Sequence, residues 1–420
     1  MRKQQGSLNQ LQQLTLLLNN GKAFNYLLIH YQYIAISSIF RTKIFFMSNL
    51  SRRSFLQHVG LAASVTTVAA ALPSFVNIPT VNASVYDGKK LNIALCGLGR
   101  YAGYLAEGLA VSKYCRLAGI VTGTPSKAVS WKKQYNMPQK NIYNYQNFDE
   151  MVNNKDIDLV YVVLPNGMHK EYTIRAAQAG KHVIVEKPMA ITASDCKEMI
   201  AACKNAGVQL AVGYRLHYEP YNIEIKRLGQ EKVFGQVRLI ETSLGYKSGT
   251  IGDWHLNKAL AGGGPLMNLG IYCVQCSRYV TGEEPVAVTA QFGPVTKPAL
   301  FAEVEESITW QLVFPGGTVC TSTTSYNCNV DRFFAAADEG FFELSPAISY
   351  GPFKGRTSNG ELNFTTINQQ ATQCDAIAKV LLENKLLPDH ITGQEGLKDV
   401  RILQAIYEAA TTGKRVAIIG

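Results

Sequence analysis

From Lys89 onward, short β-rich runs alternate with stretches of helical spacing. "LNIALCG" (91–97) is an apolar run ending in glycine, and "AGYLAEGLAVS" (102–112) repeats its apolar positions at helical intervals. The couplet returns as "RLAGIVTG" with "SKAVSWKKQY", "DLVYVVLP" with "HKEYTIRAAQAG", and "HVIVEKP" with "SDCKEMIAACKNAG", before "VQLAVGY" closes the series. Strands this apolar, each followed by one helix, are covered on both faces and joined by right-handed crossovers. The pattern predicts an α/β fold: a doubly wound parallel sheet of Rossmann type over residues 84–212. In its last helix Asp195, after Thr192 and Ser194, supplies a first-turn acid, and Gly207 ends the helix.

After Gly213 the period shortens to two. "QVRLIETSLGY", "VAVTAQFG", "EESITWQLVF" and "GTVCTSTTSY" alternate or are β-rich between Gly and Pro turns. They predict an α+β domain over 213–420 with a mostly antiparallel sheet. Amphipathic helices near 370–384 and 394–412 close the chain. With helices on one face of that sheet and the other left open, a homodimer or homotetramer is expected.

Composition supports two well-buried cores: 47% of the 420 residues are hydrophobic and 17% charged. The net charge of +10 suggests a polyanionic partner until it is located. Seven of the 41 Lys and Arg lie in residues 1–83, which hold no Asp or Glu, leaving 34 basic against 31 acidic residues in 84–420. The excess belongs to the leader, so no nucleic-acid partner is expected.

Within that leader Ser51-Arg52-Arg53-Ser54-Phe55-Leu56 precedes the apolar stretch Val59–Leu72. This resembles a twin-arginine signal, read by an export machinery that moves folded proteins, and implies a periplasmic or other extracytoplasmic destination. Val81-Asn82-Ala83 offers a cleavage site after Ala83. Met47 is the expected initiator, making 47–83 the signal and 1–46 an upstream, non-native extension. The competing reading of 24–40 as a membrane helix meets a short run broken by His30 and Gln32. Nine cysteines, an odd number, leave at least one thiol unpaired, and Cys273 and Cys276 read as small apolar residues one helical turn apart. No metal site is expected.

The candidate chemistry sits at strand ends. Gly97-Leu98-Gly99-Arg100-Tyr101-Ala102 follows the first strand and opens a helix, the context of a dinucleotide fingerprint: a tight turn, close approach of pyrophosphate, and close packing at Ala102. The second strand ends in Thr122, with Lys127 following and no acid to bind a ribose 2′-hydroxyl. This favours NADP over NAD. Glu186-Lys187-Pro188 ends another strand, where a lysine can donate to a substrate oxygen.

Together with Leu164, Pro165, Asn166 and His169 in "LPNGMHK", the EKP run resembles the glucose–fructose oxidoreductase and inositol dehydrogenase family, Gfo/Idh/MocA. "GYRLHYEP" (213–220), "AGGGPLMNLGIYCVQCSRYVTGEEP" (261–285) and "LQAIYEAATTGKRV" (403–416) are similar to its glucose–fructose oxidoreductase branch. That resemblance implies export with tightly held NADP, and hydride passed from one sugar to another. It implies Lys187 as the substrate-activating lysine, Tyr272 as the proton-transferring tyrosine, and Asn268 where the family commonly has Asp. It places Trp254 and His255, at the family's Trp-Arg pair, in the sugar pocket and Tyr145 near the cofactor. Arg215 and Tyr218 could reach cofactor or sugar, or Tyr218 could be hinge packing. His169 reads as a nicotinamide-side residue or a helix cap. Two other functions stay open: a glycosidase that uses bound NAD transiently, and a sugar-binding sensor without turnover.

Overall fold

The computed structural model describes residues 88–418 apart from 249 and 251. The twin-arginine stretch, the cleavage site and Met47 lie outside the described residues.

The first sheet is entirely parallel, in the order β3-β2-β1-β4-β5-β6. Its strands are β1 Leu91–Cys96, β2 Cys115–Val121, β3 Ile142–Tyr143, β4 Leu159–Val162, β5 His182–Glu186 and β6 Leu210–Gly213. The intervening helices are α1 Arg100–Val111, α2 Pro125–Gln134, α3 His169–Gln178 and α4 Ala193–Asn205. The order reverses at β1, so the ends of β1 and β4 flank a crevice at the carboxyl edge, where such sheets bind ligands. Apolar runs in β1 and β4 are buried on both faces, as expected for central parallel strands. Thr192 caps α4 by accepting the Asp195 amide at 3.1 Å, and Gly207 follows it at φ +68°.

The second sheet has nine strands. They are β7 Val237–Gly245, β8 Ala287–Phe292, β9 Ser307–Val313, β10 Val319–Ser325, β11 Val330–Ala337, β12 Gly340–Leu344, β13 Gly355–Thr357, β14 Gly360–Leu362 and β15 Val416–Ala417, ordered β14-β13-β12-β11-β7-β10-β9-β8-β15. Only β7 and β10 pair in parallel. The four strands β11–β14 go beyond the sequence expectation; "RFFAAA" shows no clean alternation, yet Phe333 and Ala335 point inward and are fully buried. Between the sheets' strands lie α5 Pro220–Gln230, the short α6 Lys258–Ala261 and α7 Ile271–Thr281.

The closing helices, α8 Gln369–Leu382 and α9 Gly393–Thr412, fall close to their predicted ranges. Their positions were not legible. α8 returns to the first core, where Cys374, Ile377 and Ala378 join β1 and β2 residues. A Cβ at Gly108 of α1 would stand 2.8 Å from Gln370 Cβ, so the two helices meet almost backbone to backbone.

α9 ties the two parts together through one carboxylate. Asp399, fully buried, accepts from Tyr214 Oη (2.6 Å), Gln275 Nε2 (2.6 Å) and Arg278 Nη1 (2.5 Å). Asp399→Ala would leave the Tyr214 hydroxyl and the Gln275 amide buried without their acceptor, while Arg278 keeps Glu284 and Glu395. It is expected to destabilise the protein by about 2–4 kcal/mol in urea unfolding.

Candidate active site

The glycine turn explains its own composition. Gly97 has φ +101°, and a Cβ there would lie 2.6 Å from the Val163 carbonyl oxygen, so only glycine fits between β1 and β4. A Cβ on Gly99 would meet nothing within 4 Å. Gly99 also caps α1 without any side-chain hydrogen bond, leaving the helix N-terminus open to an anion. The open helix N-terminus fits a dinucleotide's pyrophosphate. The Tyr101 hydroxyl, buried without a hydrogen-bond partner, belongs instead with Glu186, Tyr272 and Arg215, whose charges it feels. Leu98 is buried and Ala102 fully so, while Arg100 is exposed at the start of the helix.

At the end of β2, Thr122 is buried and its Oγ1 accepts the Thr124 amide at 3.2 Å. Lys127 Nζ donates to the Leu98 carbonyl at 3.0 Å, so this lysine lies against the glycine turn itself. Tyr145 packs on Gly123 and against Tyr172, with ring centroids 5.2 Å apart.

The segment 164–169 is mostly structural. Asn166 Nδ2 donates to the Ala261 carbonyl at 2.8 Å, fastening α6 over the end of β4. His169 is fully buried, with Nε2 at 2.8 Å from the Leu164 carbonyl oxygen and Nδ1 at 3.0 Å from that of Pro188. Burial pulls its pKa down to about 4, against the opposing pull of the carbonyls. The neutral ring has one N–H, so His169 donates to one of these carbonyls and packs against the other, setting the Leu164–Pro165 turn against the EKP loop and reaching a ligand only through that loop.

Glu186 and Lys187 follow β5. Glu186 accepts from Tyr161 Oη at 2.6 Å, and burial pushes its carboxyl up to about 7 despite that bond and the nearby Lys187 and Arg215 charges. The folded protein therefore holds this proton after an unfolded chain would release it. Stability present below pH 4.5 is lost as pH rises towards 7. Glu186→Gln is expected to flatten that slope in urea melts across this range.

Lys187 Nζ donates to the Asn268 carbonyl at 2.8 Å and stands 4.4 Å from the centre of the Tyr272 ring. Asn268 lies in a π-helical turn, Leu266–Gly270, just before α7, and Tyr272 in the first turn of α7. Glu305, not singled out by the sequence, anchors that turn: it accepts the amides of Gly264 (2.9 Å) and Leu266 (3.0 Å) and the Tyr407 hydroxyl (2.8 Å). The glycines before it are required by contact, since a Cβ on Gly264 would approach the Glu305 carbonyl oxygen to 2.3 Å.

Asn268 is held by two phenols that sequence reasoning also missed. Its Nδ2 donates to Tyr326 Oη (2.9 Å) and Tyr246 Oη (3.1 Å), while Oδ1 sits 3.5 Å from Lys187 Nζ. Both tyrosines end predicted strands, but nothing in a strand pattern marks a terminal tyrosine as part of a site.

Arg215 is 3% exposed, and its guanidinium donates to the carbonyls of Ser349 (3.1 Å) and Ile348 and to Gln369 Oε1 (2.5 Å). Its Cζ is 5.1 Å from the Tyr272 ring centre and 4.4 Å from that of Tyr350. Burial alone would raise the Tyr272 pKa. The Arg215 and Lys187 cations outweigh it, so the phenol titrates below the usual 10. Tyr218 packs at the edge of the first core, the hinge-packing alternative. Trp254 and His255 form a short turn with their rings stacked at 3.8 Å.

A parallel sheet whose order reverses at a glycine turn and an open helix N-terminus, with a lysine and an acidified tyrosine at its ligand edge, defines a nicotinamide-dependent oxidoreductase. Residues 91–214 match the oxidoreductase family with an NAD-binding Rossmann fold, and 223–343 match the GFO/IDH/MocA C-terminal domain. The chain belongs to the Gfo/Idh/MocA family of NAD(P)-dependent oxidoreductases. It is 41% identical to the solved aldose–aldose oxidoreductase of Caulobacter crescentus complexed with glycerol, covering 78% of this chain and 100% of that one, with a TM-score of 0.76. It is 28% identical to the NADP-dependent D-xylose 1-dehydrogenase of Haloarcula marismortui, over 65% of this chain and 78% of the relative. Identity to the D-glucoside 3-dehydrogenase of Escherichia coli is 26%, over 80% and 99%.

Proposed function

We propose that this protein is an exported, NADP-dependent sugar oxidoreductase that passes hydride between a sugar carbon and a tightly held nicotinamide, in the manner of glucose–fructose oxidoreductase. The observation that carries the reading is the convergence of Lys187 Nζ, the Tyr272 ring and Arg215 at the carboxyl end of β5. A bound nicotinamide would supply the hydride acceptor. Lys187 donates to the oxygen of the sugar C–OH group and stabilises the charge that grows there. Tyr272, as phenolate, takes the hydroxyl proton. Asn268 orients a hydroxyl through Oδ1 and exchanges no proton.

The absence of a carboxylate at the end of β2 supports NADP, as do the NADP-dependent xylose relative and the hydroxyl of Thr122. Arg52-Arg53 supports folded export to the periplasm by the twin-arginine machinery, with the cofactor carried along. The aldose–aldose relative supports regeneration by a second sugar. The open face of the second sheet, with Leu239 exposed on it, supports a homodimer or homotetramer, which light scattering tests.

The decisive experiment adds glucose to the purified protein and follows the 340 nm absorbance of its own cofactor. Reduction that persists until fructose is added supports the proposal. Release of sugar from a glycoside without accumulated reduced cofactor would instead establish the glycosidase. Binding without any absorbance change across a sugar panel would establish a sensor.

A further inference from the structure

Two groups of opposite charge at the catalytic edge are held by one turn of α8. Asn368 caps that turn by accepting the Ala371 amide at 2.8 Å. Gln369 and Gln373 follow four residues apart, so they share a face of the helix, and both are buried. The helix itself is fastened to the first sheet, since Asp375 accepts the amides of Tyr114 (2.8 Å) and Lys113 (3.1 Å) just ahead of β2.

Gln369 Oε1 accepts from Arg215 Nη1 at 2.5 Å. Gln373 acts through a phenol. Its Nε2 donates to Tyr161 Oη at 2.7 Å, and the Tyr161 hydroxyl, fully buried on β4, stands 2.6 Å from Glu186 Oε1. An amide N–H can only donate and a phenol has one proton, so the Tyr161 proton is committed to Glu186. Gly213, at the end of β6, makes room for the pair: a Cβ there would lie 2.5 Å from Glu186 Oε1 and 2.7 Å from Tyr161 Oη.

The Glu186 carboxyl is thereby wedged against the chain that carries each of the two cations beside Tyr272. Glu186 precedes Lys187, whose Nζ is 4.4 Å from the centre of that ring. Gly213 comes two residues before Arg215, whose Cζ is 5.1 Å from it.

We propose that Gln369, Gln373 and Tyr161 are positioning residues for Tyr272: one turn of α8 fixes both the Arg215 guanidinium and the Glu186 carboxyl at the edge that carries the proton acceptor. The proposal rests on the reading of Tyr272 as that acceptor and adds how its surroundings are set.

The two held charges act in opposite senses. Arg215, with Lys187, favours the Tyr272 phenolate, and Glu186, once ionised, opposes it. The other acids that feel Glu186 or Tyr272 are Tyr161, Tyr101 on α1, Tyr350 in the loop before β13 and Cys374 on α8, and burial pushes each of them up. They stay neutral while Glu186 and Tyr272 titrate. The Tyr161 hydrogen bond favours the Glu186 carboxylate. Tyr161→Phe therefore keeps Glu186 neutral to higher pH, and the Tyr272 titration moves to lower pH. Gln373→Leu weakens the same donor and moves it less, in the same direction. Gln369→Glu sets a carboxylate against Arg215 and moves it to higher pH.

The test follows the Tyr272 titration twice in the cofactor-loaded full chain: as tyrosinate ultraviolet absorbance, taken as the difference from Tyr272→Phe, and as the pH limb of sugar oxidation. Tyr161→Phe is expected about 0.5–1 pH unit below the wild type and Gln369→Glu about 1 unit above it. Unchanged dinucleotide binding shows that each variant is folded. A merely structural role would lower the plateau and leave the titration where it was. Titrations that coincide with the wild type, or that move one common way in all three variants, overturn the positioning alone. A wild type that oxidises no sugar overturns the oxidoreductase reading, while the absorbance still decides the positioning.

Discussion

Lys187→Met is expected to lower kcat/KM for sugar oxidation by on the order of 10³-fold while leaving the dinucleotide Kd within a factor of a few. The ammonium is held by the Asn268 carbonyl at 2.8 Å, so it is already oriented and needs no rearrangement as charge develops on the substrate oxygen. Methionine keeps the length of the stem and much of its packing against Tyr272. What is lost is a preorganised donor, for which about 10²–10³-fold is the usual cost, together with the cation that favours the Tyr272 phenolate. Single-turnover reduction of the protein's own cofactor would isolate this step from product release. A variant within 10-fold of the wild type would remove Lys187 from the chemistry.

The second large effect belongs to Tyr272. Tyr272→Phe is expected to lower kcat by about 10²–10⁴-fold, since the ring and its stacking on Arg215 remain and only the proton acceptor is removed. The wild-type rate should rise with pH and level off below 10, because the Arg215 and Lys187 charges favour the phenolate. Arg215→Met removes one of them. Its limb is therefore expected at higher pH, with activity depressed near neutrality and partly recovered in alkali. A purely structural loss would lower the plateau without moving the limb. An unmoved limb would mean that another group titrates there.

The arrangement gives Asn268 a different part from an acidic residue at the same position. Its amide is oriented by Tyr246 and Tyr326, and in the proposed mechanism the proton passes instead to a phenol one helical turn further along the chain. The energetic demand thus falls on Arg215, whose three hydrogen bonds to the 348–349 segment and Gln369 hold a charge in a nearly dry place.

The sequence by itself determined the parallel sheet, the glycine turn and the position of Lys187 at the end of a strand, while Tyr272 was singled out by family resemblance alone. Apolar runs followed by helical stretches admit few other folds, and residues at strand ends of such a sheet face the ligand edge. It also determined the two closing helices, whose periodicity is local. Only the tertiary structure decided where those helices go, because an apolar stripe states that it must be buried and not against what. The same limit hid Glu305, Tyr246, Tyr326 and the Arg215–Tyr272 stack, each a meeting of residues 22 or more positions apart. It also turned His169 from a possible ligand contact into a bond between two loops. Alternation and spacing are read along the chain, whereas a shifted pKa and an oriented amide arise from charges and dipoles that only folding brings within reach.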